Sequence, residues 1–255
     1  MGIVLPDGNL NNPSLSWLRR WAEGKARLLA IVSLPEETFR SAEATVKASL
    51  VFLRRFTETD AAAWESAWHQ AHAKHDAGFN AERSRLCVTY GPRIAAGDMD
   101  ALATILREFE AVGLRRQLPE WKQAEPPSYP RGVGMTMVGK PRWTDETPDK
   151  KSSRALKKKF EELWTEEASE KADALARELH AALRKVDAAQ NAALWREVRQ
   201  LFDYPVFTAS PETVGITSTG ADGPNQLMDV LAAYRRFDTW VRTGAKPAQT
   251  PEFGT

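Results

Sequence analysis

The sequence predicts an α/β protein whose sheet is interrupted by a large, mainly helical insertion. The continuous apolar run at residues 28–32 is typical of a strand buried on both faces, and the mainly apolar residues 48–52 are interpreted in the same way. From Glu58 the apolar residues recur instead at every third and fourth position, which indicates amphipathic helices. Strand character returns at residues 204–209. The predicted parts are a sheet part at residues 1–56 and 204–237, a helical insertion at residues 57–203, and a flexible tail at residues 238–255.

Residues 1–56 have the pattern strand, helix, strand, loop, strand. The helix begins near Pro13, because a proline in the first turn needs no N–H donor, and it ends at Gly24. The loop is polar and carries one aromatic residue, Phe39. The strands are predicted at residues 3–5, 28–33 and 46–52.

The helical insertion contains the strongest periodicity of the chain, at residues 152–202, with neither proline nor glycine. At 1.5 Å per residue this is one helix on the order of 70 Å long, or two helices with a bend. Its apolar stripe is expected to pack on helices at residues 58–76 and 98–114 as an antiparallel arm. Six prolines predict a long loop at residues 117–150, and a last short helix is expected at residues 225–237.

Composition excludes several classes of protein. The net charge is +1, which disfavours a strongly basic nucleic-acid wrapper but allows a local basic patch. Cys87 is the only cysteine, so neither an intramolecular disulfide nor a cysteine-based zinc site can form. No apolar run approaches the roughly 20 residues that span a bilayer, and no secretory signal is visible. We therefore expect a cytoplasmic protein with no membrane partner.

Three patches of the sequence carry a resemblance. They are Val4 to Asn12, Ala30 to Leu53, and Tyr204 to Tyr234 with its Pro-Val-Phe-Thr-Ala, Val-Gly-Ile and Pro-Asn-Gln-Leu segments. In this order they resemble the C-terminal part of the modification subunits of type I restriction-modification systems, a family of adenine-N6 DNA methyltransferases. The resemblance implies a partial methyltransferase-type sheet that contains only the C-terminal strands. Residues 57–203 match no motif of that family.

The resemblance also implies a target-base loop after the family's sixth strand. A flipped base has lost its stacking partners, and an aromatic ring restores about 1–3 kcal/mol per base. Phe39 occupies the matching position, although a ring that closes the core at the strand end is an equal alternative. Around it, Thr38, Arg40 and Lys47 are candidates for DNA contacts, together with Asn9 of the first patch.

Two motifs of the family are missing. No Gly-rich donor-binding turn follows a strand, since Gly132-Val133-Gly134 lies in the proline-rich segment. The catalytic tetrapeptide, Asn or Asp followed by two prolines and an aromatic residue, is not matched by Glu125-Pro126-Pro127-Ser128. We expect no catalytic residue and no bound cofactor in this chain alone. S-adenosylmethionine is expected for the complete enzyme, held by a separate N-terminal half.

The predicted strand at residues 3–5 would leave an open sheet edge. The separate half, a second copy of the chain or the chain's own tail are the options for covering it. Two other interpretations of the chain stay open. One is a non-catalytic remnant that acts as a helical assembly or DNA-binding module, and the other is an unrelated helical scaffold.

A basic cluster opens the longest predicted helix. It comprises Lys150, Lys151, Arg154 and Lys157–Lys159, and Arg115, Arg116, Lys140 and Arg142 add to it in sequence. Lys157 and Lys158 are candidates for phosphate contacts, whereas a solvated face with ion pairs to nearby glutamates is the alternative.

Two further groups have more ordinary explanations. His72 and Asp76 have metal-ligand spacing on a helix, but His69 and His75 point elsewhere, so a solvated helical face is favoured. Cys87 lies in an apolar setting, which predicts a buried, unreactive thiol.

Overall fold

The computed structural model describes residues 1–42, 46–118, 120–123, 132–138, 142–146, 150–217 and 219–244. Side chains at residues 40–42, 120–123, 136–138 and 145 lie outside that description. The protein is α/β, with a mixed four-stranded sheet and a large helical region. It forms two compact units, Met1–Ser66 with Phe202–Thr255, and Ala67–Leu201. Within the described ranges, no helix combines the length and apolar character needed to cross a bilayer.

The first unit contains the sheet. Its strands are β1 (Gly2–Pro6), β2 (Ala26–Ser33), β3 (Ala48–Arg55) and β8 (Phe207–Ala209), in the order β1-β3-β2-β8. β3 is antiparallel to β1 and β2, which therefore run parallel to each other, and β8 is parallel to β2. Among the described strands, β1 pairs on one side only. The strand predicted at residues 204–209 begins only at Phe207, since the Tyr204 hydroxyl instead accepts a hydrogen bond from the Leu28 N–H.

Short helices and a hairpin complete the first unit. They are α1 (Asp7–Asn11), a 3-10 helix at Pro13–Leu15, α2 (Ser16–Glu23), a 3-10 helix at Glu36–Ala42, β9 (Val214–Ile216), β10 (Asp222–Asn225) and α7 (Leu227–Thr243). The Asn12 side chain caps the first 3-10 helix by accepting the Ser14 N–H. α7 continues to Thr243, so residues 238–243, predicted as tail, are helical, and Gly244 ends the helix with φ +70°. The rest of the predicted tail lies outside the described residues.

The core of the first unit forms between the sheet and α7. Val32, Leu34 and Val230 are buried at its centre. The prediction that both apolar strands are buried on both faces is wrong for β3, because Phe52 is 40% exposed. The face of the sheet that carries Phe52 is therefore only partly covered.

The second unit is built on a long antiparallel helix pair. The helices are α3 (Glu58–Ala95), whose first residues belong to the first unit, α4 (Asp100–Ala111), α5 (Lys150–Leu163) and α6 (Glu166–Leu201). Trp68 meets Trp195 edge to face at 5.1 Å, and Arg83 pairs with Asp187 at 2.6 Å. The later of these two residues in α3 thus contacts the earlier one in α6, so the two helices run antiparallel. The predicted antiparallel packing of these helices is confirmed.

One helix boundary differs from the prediction, because α3 runs on to Ala95 instead of ending at residue 76. For residues 152–202 the two-helix alternative is confirmed. Thr165 begins the second helix, since its hydroxyl accepts the Ala168 N–H at 3.2 Å. Glu166 and Glu167 in the first turn favour the same start through the helix dipole.

The predicted loop at residues 117–150 is wrong, because the described part of it is mostly strand. β4 (Leu114–Gln117) pairs antiparallel with β7 (Arg142–Asp145), and β5 (Glu120–Gln123) pairs antiparallel with β6 (Met135–Val138). The Asn191 side chain pairs with both backbone groups of Val133. The described part of this segment thus forms two antiparallel strand pairs and not one continuous loop.

The core of the second unit lies where α4, α5 and the β4–β7 ladder meet. Leu102, Phe109, Leu114 and Phe160 are buried there. The Arg116 guanidinium lies over Trp164 at 4.3 Å, and burial lowers the pKa of this arginine.

The start of α3 is tied to β2 by a buried ion pair in the first unit. Thr57 and Asp60 form a reciprocal cap, in which each accepts the other's backbone N–H through its side chain. Arg27 of β2 donates to the Asp60 carboxylate at 2.7 Å, and its guanidinium lies over Phe202 and Tyr204 at 5.1 and 4.9 Å. One arginine therefore joins the two chain segments of this unit.

We expect Asp60→Asn to lower the free energy of unfolding at pH 7 by about 1.5–3 kcal/mol, because two charge-assisted hydrogen bonds lose their acceptor charge. Burial raises the pKa of Asp60, but hydrogen bonds from Thr57 and Arg27 outweigh it and hold that pKa below 3.8. The Asp60 carboxylate therefore stabilises the fold fully at pH values above the pKa that it has in the unfolded chain. This stabilisation is lost as pH falls through the pKa of Asp60 in the folded protein.

Urea unfolding at several pH values measures this effect. The difference between the wild type and Asp60→Asn should narrow as pH falls from 7 toward about 2. The exposed pair of Glu82 and Arg85 gives the control, since Glu82→Gln should change stability little at any pH. An Asp60→Asn protein as stable as the wild type at pH 7 would contradict this role.

Candidate functional site

The carboxyl ends of the parallel strands lie at one edge of the sheet. Pro6 at the end of β1 lies opposite Ala48, and Ser33 at the end of β2 lies opposite Ser49. Ligands of open sheets with parallel strands bind beyond this edge. α1, the 3-10 helix Glu36–Ala42 and the residues before β3 all emerge there. We call this region the carboxyl edge.

Five of the seven predicted site residues lie at the carboxyl edge: Asn9, Thr38, Phe39, Arg40 and Lys47. The Asp7 N–H donates to the Lys47 carbonyl at 3.0 Å, which joins the turn after β1 to the start of β3. The other two, Lys157 and Lys158, lie in α5 and belong to the second unit. The structure thus brings together the residues of the first two patches.

Phe39 is half-buried. Its ring packs against the core cluster of Val32, Leu34 and Val230. Part of the side chain therefore closes the core at the end of β2, as one of the two interpretations expects. The residue nevertheless keeps some solvent-exposed surface, so the second interpretation, stacking on a base, stays a prediction.

Thr38 and Arg40 share the 3-10 helix with Phe39. The Thr38 hydroxyl donates to the Pro35 carbonyl at 2.6 Å and closes the turn. With its proton used in this way, Thr38 shapes the loop and has only acceptor capacity left for a ligand. The backbone of Arg40 lies in the helix, whereas its side chain lies outside the described residues.

The polar groups beside the loop differ in exposure. The Lys47 side chain is exposed, and Asn9 is half-buried. Arg19 of α2, which sequence reasoning missed, donates to the carbonyls of Asn9 and Asn12 at 3.1 and 2.9 Å. Arg19 therefore fixes the turn that carries Asn9, and Lys47 is a solvent-exposed cation at this edge.

A buried pair of residues at the carboxyl edge, Ser49 and Asp7, was also not identified from the sequence. Ser49 is 3% exposed, and its hydroxyl donates to the Asp7 carboxylate at 2.8 Å. Glu36 and Glu37 follow in the neighbouring 3-10 helix. The carboxyl edge thus carries both signs of charge and is not a purely basic phosphate surface.

The third patch supports the loop from the side. β9 contacts the 3-10 helix that carries Phe39. The Gln226 side chain, at the start of α7, accepts the N–H groups of Glu212 and Thr213 at 2.7 and 3.3 Å. Gly215 adopts φ +92° in β9, a conformation that favours glycine. α7 and the β9–β10 hairpin thus hold one flank of the carboxyl edge.

An apolar cavity of about 410 Å³ lies elsewhere in the same unit. Its lining includes Gly2, Phe52, Leu231 and Tyr234, on the sheet face that α7 partly covers. None of the predicted site residues lines it. Val32 and Val230, which belong to the core cluster that Phe39 packs against, are part of its lining.

The histidines of α3 have carboxylate partners. His72 lies 3.1 Å from Asp76, and His75 lies 3.4 Å from Glu197, which also accepts from Lys74. Among the described side chains, no group of three or more His, Cys, Asp or Glu residues could hold a metal ion. Both histidines are half-buried, so the expected fully solvated face applies to His69 only.

Cys87 is half-buried and not fully buried as predicted. Burial raises the pKa of its thiol, which disfavours the reactive thiolate. In α5, Lys158 is exposed and lies 3.7 Å from Glu162, whereas Lys157 is half-buried. The α5 lysines therefore lie at or near the surface of the second unit.

Comparison with known proteins gives no relative. No model of a protein family matches the sequence, and no curated protein matches it.

We expect Ser49→Ala to lower the free energy of unfolding by about 1–2 kcal/mol, because the Asp7 carboxylate loses a buried donor. Ser84→Ala is the control, since Ser84 is exposed within α3 and alanine favours the helix slightly. Urea denaturation measures both. Equal stabilities of the two variants would show that the Ser49–Asp7 hydrogen bond does not hold this edge together.

Proposed function

We propose that the chain is the target-adenine and DNA-handling part of an adenine-N6 DNA methyltransferase of a restriction-modification system. It works with a donor-binding half that residues 1–255 do not contain, and S-adenosylmethionine is the methyl donor of the complete enzyme. The chain itself supplies no catalytic residue and binds no cofactor alone. The observation that carries the proposal is the assembly of three distant sequence patches into one sheet unit.

The three patches lie up to two hundred residues apart in the chain. The first forms β1 and α1, the second forms β2, the Phe39 helix and β3, and the third runs from β8 into α7. All three belong to the first unit, and the second unit lies wholly within residues 57–203, which match no motif. Each of the three patches contributes at least one strand to the four-stranded sheet. This agreement supports the methyltransferase interpretation.

The carboxyl edge has the groups that an extruded adenine needs. Phe39 offers part of a ring face, and stacking on an aromatic ring stabilises an unstacked base by about 1–3 kcal/mol. Lys47 is exposed beside it, and the half-buried Asn9 follows β1. Arg40 completes the DNA-contacting set, with Thr38 shaping the loop. Base handling is thus assigned to this edge, and methyl transfer to the missing half.

The free side of β1 is the proposed docking position for that half. Its backbone groups have no strand partner among the described residues, and Ile3 and Val4 are 39% and 49% exposed. An unpaired edge with apolar side chains is suited to strand addition. A second copy of the chain could use the same edge, so self-association is the competing arrangement.

The Phe39 ring should favour an unpaired base over a paired one. Two duplexes are compared, one fully paired and one with 2-aminopurine opposite an abasic site, where little unpairing energy is needed. We expect the wild-type chain to bind the second duplex roughly 5- to 150-fold more tightly, which corresponds to about 1–3 kcal/mol of stacking. Phe39→Leu should lose this preference and Phe39→Tyr should keep it.

Leucine preserves the apolar contact with the core, and urea denaturation checks that the variant remains folded. Phe79→Leu, on half-buried Phe79 of α3, is the control for loss of an aromatic ring elsewhere. A wild-type chain without preference for the unpaired base, or a preference that survives in Phe39→Leu, would contradict the proposed function.

A further inference from the structure

The first part of α5 concentrates positive charge. Residues 150–160 contain six Lys or Arg residues and no acidic residue. We propose that five of them form a surface that binds the phosphate backbone of duplex DNA. We call it the α5 basic stripe, and it consists of Lys150, Lys151, Arg154, Lys157 and Lys158.

Helical geometry places these five residues on one side of α5. The other four residues follow Lys150 by one, four, seven and eight positions, which places all five within a single sector around the helix axis. Ser153 and Phe160 lie outside this sector and are 1% and 3% exposed. Lys150, Lys151, Arg154 and Lys158 are exposed, and Lys157, at the margin of the stripe nearest Ser153, is half-buried.

The stripe is unfavourable for the stability of α5 itself. Lys150 and Arg154, and again Arg154 and Lys158, are like charges four positions apart on a helix surface. Cations in the first half of a helix also oppose its dipole. A local arrangement that opposes folding is expected where function requires it, and an anionic partner would relieve the repulsion.

Duplex DNA fits this surface better than a membrane does. Insertion into a bilayer needs a free apolar face, but that of α5 is used in the core, where Phe160 meets Trp143 and Trp164 at 5.2 and 5.4 Å. A duplex presents about one negative charge per 1.7 Å, whereas the stripe is about 12 Å long at 1.5 Å per residue. The linear charge density of the duplex is therefore at least as high as that of the stripe. The choice of a duplex rests on the proposed function, whereas the choice of a polyanion rests on α5 alone.

The test is duplex binding by the full chain as a function of salt. With four to five phosphate contacts, log K should fall with log salt at a slope of about −4, so affinity drops roughly 250-fold between about 50 and 200 mM KCl. The triple variant Lys150→Gln, Arg154→Gln, Lys158→Gln should reduce the slope by about 3. Fluorescence anisotropy of a labelled, fully paired duplex measures both.

A matched triple variant on α6 provides the control. Arg177→Gln, Arg184→Gln, Lys185→Gln removes the same charge from exposed positions and should leave most of the slope. The proposal would be overturned if both triple variants lost the same amount of salt slope or if the stripe variant lost none. It would also be overturned if the wild type did not bind the duplex at low salt. So would equal affinity for poly-glutamate of the same charge as the duplex.

Failure here is distinguishable from failure of the proposed function. The salt slope depends on α5, whereas the preference for an unpaired base depends on Phe39. If Phe39→Leu showed the normal salt slope and the wild type showed no preference for the unpaired base, the phosphate-binding role of the α5 basic stripe would be retained. The adenine-handling role would be rejected. The reverse result would remove the stripe alone.

Discussion

The ion pair between Arg27 and Asp60 is the constraint on which the sheet unit depends. This unit is made of two chain segments, and a discontinuous unit needs a contact that joins them. Asp60 caps α3 and accepts from Arg27 of β2, while the same guanidinium lies over Phe202 and Tyr204 of the returning segment. Because β8 follows directly, this contact also sets where the third parallel strand meets β2. The residues at the carboxyl edge keep their positions relative to one another only if this arrangement holds.

The helix pair of the second unit depends on a comparable polar contact. Arg83 is 6% exposed and donates to Asp187, Gln190 and Asn80, and Gln190 in turn donates to Asp76 at 2.6 Å. A buried network of this kind is stable only when its members are satisfied together, so it specifies one register of α3 against α6. The surface proposed for phosphate binding lies on α5 and is not part of this network. The two units thus divide the proposed work between base handling and phosphate binding.

Much of the fold could be predicted from local signals, and the failures have identifiable physical causes. The strands β1, β2 and β3 were predictable because each contains a short apolar run, and two of these runs are bounded by turn or loop residues. The β4–β7 region was missed because prolines between short strands look like a loop when their pairing partners are unknown. The two-helix alternative for residues 152–202 is confirmed, and Thr165, followed by two glutamates, is the local signal that places the break. The site was predictable only in part: Phe39 stands out in its loop, but its contact with Val230 and the Ser49–Asp7 bond join residues far apart in sequence.

The central claim is that base handling in this chain completes an enzyme whose donor half is a different polypeptide segment. The most direct measurement is transfer of a tritiated methyl group from S-adenosylmethionine to adenine in duplex DNA. It is made with this chain alone, with the polypeptide carrying the donor-binding and catalytic motifs alone, and with both. The account predicts label on adenine N6 only in the mixture. Label produced by either component alone, or a mixture that forms no complex and transfers no label, would contradict it.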